Sequence, residues 1–183
     1  MPRPLRIVVP GAVYHITARG NRRQPIYADE RDRERFLELL SGVVSRRGWR
    51  CHAYCLMPNH YHLVVETSGD LSPGLQELNG RYAQWFNGRH AFTGHLFQGR
   101  FHAAIVESDW HAIELSPYVV LNPVRAGLAA RPGTWRWSSY RPAVGDAAKP
   151  AFLTTAWLLG FFGKDPRAAR DAYRRFARDG PGP

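Results

Sequence analysis

Two histidines one residue apart, His60 and His62, sit inside the apolar stretch LMPNHYHLVV (Leu56 to Val65). On a strand, residues two apart share a face, so His60, His62 and Val64 project together while Tyr61, Leu63 and Val65 take the other side. A packed interior has little use for adjacent bases that titrate near neutral pH. Two neutral imidazoles side by side can hold one divalent cation. The competing reading is a pair of satisfied interior histidines, and H-x-H spacing alone does not decide between them.

Further along, Tyr118 and Asn122 in SPYVVLNPVRAG are four residues apart and share one face of a helix. An amide oxygen can complete a metal site, and a phenol one turn away could attack a metal-bound phosphate. A plain tyrosine in a proline-bounded helix is the alternative. Ser116-Pro117 reads as an N-cap and first-turn pair, and Pro123 biases Asn122 away from helical geometry. The helix is therefore expected to begin at Ser116 or be kinked there, and to loosen near Asn122.

The elements that must position these groups follow from periodicity. GAVYHITARGN alternates like a strand and ends in a Gly20-Asn21 turn. DERDRERFLELLSGVVSRRGW carries apolar residues at helical spacing, closed by Gly48. RCHAYCLMPNHYHLVVET reads as two strands joined at Met57-Pro58-Asn59. SPGLQELNGRYAQWFNGRH is a second amphipathic helix, with Ser72 expected as N-cap and Pro73 at its first position. GHLFQGRFHAAIVES enters a fourth strand, DWHAIELSPYVVLNPVRAG is helical in pattern but interrupted by Pro117 and Pro123, and two C-terminal helices follow over 154–162 and 165–179, the last strongly basic. The order β-α-β-β-α-β-α predicts an α+β fold, a ferredoxin-like antiparallel sheet with helices on one face, plus C-terminal helices. Residues 1–140 are expected to form the main α+β domain and 141–183 a helical extension.

Composition narrows the partner. The 183-residue chain has a formal net charge of +10, which points to a polyanion, nucleic acid being the commonest. The lysines are Lys149 and Lys164 alone, and every other cation is arginine, suited to phosphates and base edges. No apolar run approaches the roughly 20 residues of a membrane helix. The first residues lack a signal-peptide core, so a cytoplasmic, nucleoid-associated location is expected. On one strand Cys51 and Cys55 would lie roughly 13 Å apart, too far for a disulfide, and they read as small buried hydrophobes.

Three stretches in order, MPNHYHLVVE, GHLFQGRFHAAIVESD and YVVLNPVRAGL, closely resemble the single-tyrosine HUH transposases. The opening RPLRIVVPGAVYHITARGNRRQPIY is similar to that of the REP-associated tyrosine transposases. The resemblance implies His60 and His62 as metal ligands with Asn122 as the third, Mg²⁺ or Mn²⁺ as cofactor, and Tyr118 as nucleophile. It implies cleavage of single-stranded DNA at REP-like palindromic hairpins through a 5′-phosphotyrosine, by a monomer or homodimer. Pro117 departs from the residue usual before such a nucleophile. Two other readings stay open: a non-catalytic protein that binds hairpin nucleic acid, and a hydrolytic metallonuclease in which Tyr118 is structural.

For DNA contacts, Arg19, Arg22 and Arg23 after the first strand, and Arg100 beside Phe97 and Phe101, are the expected residues, cations tracking phosphates while rings stack on bases. Trp85, Trp135 and Trp137 are expected in the core. His15 could face the site from the neighbouring strand, but a satisfied core histidine is the preferred reading for it, as for His102.

Overall fold

In a computed structural model that describes residues 9–179, four antiparallel strands form one sheet in the order β2-β3-β1-β4. The strands are β1 (Ala12–Arg19), β2 (Arg50–Met57), β3 (His60–Thr67) and β4 (His102–Ile105). Between them run α1 (Glu30–Arg47) and α2 (Leu71–His90), and α3 (Asp109–Arg125) follows. The predicted order of elements and the ferredoxin-like α+β class are thus observed. Residues 1–8, which include the start of the opening stretch RPLRIVVPGAVYHITARGNRRQPIY quoted above, lie outside the described residues.

The sheet is covered on both faces. Ile16, Tyr61 and Leu63 point to the side of α1 and α2, where they join Phe36, Leu40, Leu75 and Tyr82 in the main core. Each such fully buried side chain contributes roughly 1.5–3 kcal/mol of transfer free energy. Residues one step out of phase, Ala53, Cys55, Met57 and Val64, face α3 through Leu115 and Val119. Helices on one face therefore describes α1 and α2 only. α3 takes the opposite face, because β2 is apolar on both sides and both sides need cover. Cys51 and Cys55 are buried and free, and Trp137 is buried with Trp85 and Trp135 packed against the same core, all as expected.

One helix start and one helix end differ from expectation. α2 is capped by Asp70, whose carboxylate accepts from Ser72 N at 2.8 Å, so Ser72 and Pro73 lie inside the first turn. A charged acceptor at the positive helix end outcompetes a serine two residues on. α3 starts at Asp109, with Ser108 accepting from His111 N at 3.1 Å, rather than at Ser116, and it continues past Asn122 to Arg125. Pro123 has no N–H for the Val119 carbonyl. The Asn122 side-chain amide supplies donors nearby, to Tyr118 O at 2.9 Å and Val119 O at 3.4 Å. That substitution lets the last turn persist where the local rule predicts loosening.

The C-terminal residues add α4 (Tyr140–Val144), α5 (Ala156–Gly160) and α6 (Pro166–Asp179). They bury Tyr140, Leu158 and Tyr173 in a second cluster that includes Val120 of α3. Ser116 Oγ and Tyr173 Oη are 3.3 Å apart, joining α3 to α6. This segment thus braces the outer side of the helix that carries Tyr118. Among the described residues no helix is long and apolar enough to cross a membrane.

Candidate active site

His60 and His62 leave the same face of β3, the face toward α3, with ring centroids 4.9 Å apart. Tyr61 between them is fully buried on the opposite face, donating to Asn79 Oδ1 at 2.8 Å, so it is core and not a nucleophile. The pairing of β1 with β3 sets Thr17 opposite His62 and His15 opposite Val64. His15 is therefore the diagonal neighbour of His62 on one face. Its Nε2 lies 2.9 Å from His62 Nδ1, and the rings stack at 5.2 Å with 9° between planes. The sequence reading of His15 as a satisfied core residue is overturned: it is half-buried and engaged with His62. His102, read the same way, is exposed on the edge strand.

Tyr118 closes this group from α3. Its ring stands edge-on to His62 at 6.0 Å and to His15 at 6.2 Å between centroids. It is 40% exposed, and Arg125 lies 5.0 Å over its ring, bringing a cation to the same spot. A cleft of about 510 Å³ opens beside it, lined by His15, His111, Glu114, Tyr118, Arg125 and Phe176.

The hydrogen bonds define the imidazole tautomers. Asn59 Nδ2 donates to Arg23 O at 2.9 Å, which leaves Asn59 Oδ1 to accept from His60 Nδ1 at 2.7 Å. His60 thus carries its proton on Nδ1 and presents the Nε2 lone pair. The same tautomer at His62 donates Nδ1–H to His15 and leaves its Nε2, which is buried with no hydrogen-bond partner, as a bare acceptor. The alternative would strand an N–H in the interior, the costlier arrangement.

Electrostatics hold both rings neutral. Burial first, then Arg19, lowers the pKa of His60 to about 4. Burial, followed by His60, His15 and Arg19, lowers that of His62 to about 3. His15 is lowered to about 4 by burial and by His102 and His111. At neutral pH these nitrogens are unprotonated donors of electron pairs, the form a metal requires. Asn122 is committed through its amide nitrogen to the helix backbone, which leaves its oxygen uncommitted. Among the described residues no group of three or more His, Cys, Asp or Glu is arranged to hold a metal ion.

Of the expected DNA-contacting residues, Arg19, Arg22, Arg23 and Arg100 are all exposed, and none has an acidic partner among the described residues. Most arginines of α1 and α2 are by contrast ion-paired, as Arg31, Arg46 and Arg89 are. Phe101 is only 6% exposed and belongs to the core, so it is withdrawn as a stacking platform. Phe97 is half-buried, pairs with Gly20 and packs edge-on to Tyr61. Apart from Tyr118, the aromatic rings open to solvent among the described residues are Trp110 and Phe92, and sequence reasoning singled out neither. For Phe92, a lone ring in the polar, glycine-containing stretch HAFTGH was the signal available.

A family model described as IS200-like transposase matches residues 8–122, which is all four strands together with α3 as far as Asn122. The chain belongs to the IS200-like transposase family. Among solved structures, this transposase is similar to a REP-associated tyrosine transposase bound to a REP hairpin. The two are 19% identical with a TM-score of 0.66, over 84% of this chain and 92% of that one. A Deinococcus radiodurans protein is 17% identical with a TM-score of 0.46, over 64% and 95%. The tRNA(His) guanylyltransferase of Saccharomyces cerevisiae is 8% identical with a TM-score of 0.50, over 96% and 81%, a likeness of fold alone. No curated protein matches.

Proposed function

We propose that this IS200-like transposase cuts and rejoins single-stranded DNA next to hairpins, with Tyr118 as the nucleophile. The observation that carries the reading is the approach of Tyr118, from α3, to the imidazole of His62 at 6.0 Å. Pure binding requires no phenol beside two neutral imidazoles. The hairpin as partner is taken from the REP hairpin held by the structurally similar transposase, together with the net charge of +10.

The bare Nε2 of His62 and the free Nε2 of His60 fit a divalent cation, Mg²⁺ or Mn²⁺, with the Asn122 oxygen as third ligand. Such a cation supplies Lewis-acid chemistry, offsetting charge that builds on the oxygens of the scissile phosphate. The chain's own residues do the rest. Asn59 and His15 hold the two imidazoles in their tautomers. Arg125 offers positive charge beside the phenol. The Tyr118 oxygen bonds to phosphorus as the P–O3′ bond breaks. The phenolic proton departs and the leaving 3′-oxygen is protonated, giving a 5′-phosphotyrosine and a free 3′-hydroxyl. Attack by a 3′-hydroxyl reverses the step, so joining needs no nucleotide cofactor.

The test is a labelled hairpin with single-stranded flanks, incubated with Mn²⁺ and resolved on a denaturing gel. A covalent adduct that disappears in Tyr118→Phe supports the proposal. Cleavage that survives Tyr118→Phe without an adduct makes this a hydrolytic nuclease, and binding without cleavage makes it a hairpin-binding protein.

A further inference from the structure

α3 carries Tyr118 and, one turn earlier, Glu114. Residues four apart share a helix face, and helical side chains lean toward the N-terminus, so the phenol leans over the turn that bears Glu114. Both side chains line the cleft of about 510 Å³ beside the histidines.

Glu114 stands apart from most other acids of the chain. With a formal net charge of +10, arginines are plentiful enough to occupy carboxylates. Glu30, Glu38, Glu66 and Glu77 are each paired with arginine, and Asp70 and Asp165 accept from backbone N–H groups at helix starts. Glu114 is exposed and makes no ion pair among the described residues, although Arg125 lines the same cleft. Its carboxylate is therefore uncommitted to the fold.

Attack by Tyr118 on phosphorus requires that the phenolic proton go elsewhere. Besides the phenol, the polar side chains lining the cleft are His15, His111, Glu114 and Arg125. His15 Nε2 accepts the Nδ1 proton of His62 at 2.9 Å, so the neutral ring holds its own proton on Nδ1 and has no lone pair to spare. His111 Nδ1 accepts from Glu107 N at 3.4 Å, which puts the proton of the neutral ring on Nε2 and makes that nitrogen a donor. A guanidinium only donates. Among these four, free acceptor capacity belongs to Glu114.

We infer that Glu114 is the general base that takes the phenolic proton of Tyr118. The inference rests on the reading of Tyr118 as the nucleophile. As the Tyr118 oxygen bonds to phosphorus and the P–O3′ bond breaks, the carboxylate receives the phenolic proton, and the departing 3′-oxygen is protonated by water. Rejoining reverses this: an attacking 3′-hydroxyl gives its proton to water, and the phenolate leaves with the proton held by Glu114. Arg125, over the phenol ring, offsets the negative charge the two groups share.

The test is the single-turnover rate of adduct formation, at saturating protein, on a labelled hairpin with single-stranded flanks and Mn²⁺. Glu114→Gln keeps the side chain's size and removes the base, and because the position is exposed the variant is expected to fold and to bind the hairpin. Its adduct formation near neutral pH is expected to be about 100-fold slower, the lower end of what a general base contributes. The deficit should shrink as the pH is raised, because hydroxide then supplies the missing base. A fluorinated, more acidic tyrosine at position 118 should shrink it further. A Glu114→Gln rate equal to that of wild type overturns the inference and leaves Tyr118 as the nucleophile, its proton passing to water. A deficit that stays the same at every pH and with the fluorinated tyrosine also overturns it, since that is the signature of a structural role. A wild type that forms no adduct removes the transposase reading and the inference together.

Discussion

His15 Nε2 lies 2.9 Å from His62 Nδ1, and that contact places the His62 proton on Nδ1 and leaves Nε2 with its lone pair. Partners that orient a metal-binding imidazole typically change metal affinity about 10- to 100-fold when removed. His15→Ala is therefore expected to weaken Mn²⁺ binding by roughly this factor, measured by electron paramagnetic resonance of free Mn²⁺. His15→Gln, which restores a polar partner, is expected to recover part of the loss. Unchanged Mn²⁺ affinity in His15→Ala would show that His62 needs no such partner.

Acid should loosen the metal-free protein through the same imidazoles. Their folded pKa values, about 4, 4 and 3 for His15, His60 and His62, lie below the ordinary value near 6.5. The unfolded chain binds these protons first, so the contribution is complete above about pH 6.5 and is lost as the pH falls toward 4. Thermal denaturation followed by circular dichroism should show Tm dropping between pH 7 and 4.5. The drop should be smaller in His15→Gln/His62→Gln, and an identical drop in that variant would assign the acid sensitivity elsewhere.

Asn122 has two separable duties. Its amide nitrogen serves the carbonyls of Tyr118 and Val119, next to the N–H that Pro123 lacks, and its oxygen is the proposed ligand. Asn122→Asp keeps an oxygen and loses the donors, so stability should fall by about 1 kcal/mol with Mn²⁺ binding retained. Asn122→Ala should lose both. Urea denaturation and Mn²⁺ titration of the two variants separate these outcomes. Undiminished Mn²⁺ binding in Asn122→Ala would exclude it as a ligand.

The brace behind α3 should matter for stability. Tyr173 is fully buried among Tyr140, Leu158 and Val120, and its hydroxyl meets Ser116. Tyr173→Ala should cost about 3–5 kcal/mol, as other buried aromatics do, and Tyr173→Phe about 1 kcal/mol. Chemical denaturation checks both, and a near-neutral Tyr173→Ala would mean the C-terminal helices do not brace α3.

Local periodicity made much of this legible. The alternation that places His60 and His62 opposite Tyr61 is a property of any strand, and the turn at Pro58-Asn59 pairs Met57 with His60 as the hairpin signal implies. His15 was misread because its partner depends on the register of β1 against β3, a pairing across 47 residues that no local pattern encodes. α3 was misjudged because the proline rule counts backbone donors, while the compensating donor belongs to a side chain. Phe101 carries the composition of a stacking surface, yet tertiary packing covers it. The strained turn at Arg22 and Arg23 leaves no trace in residue type, since arginine is not a residue that favours left-handed backbone.

The central claim is that Tyr118 becomes covalently attached to DNA. After incubation with Mn²⁺ and a hairpin bearing single-stranded flanks, proteolysis and mass spectrometry should find a nucleotide on the peptide containing Tyr118, and none in Tyr118→Phe. Cleaved DNA accumulating with that peptide unmodified would contradict the account.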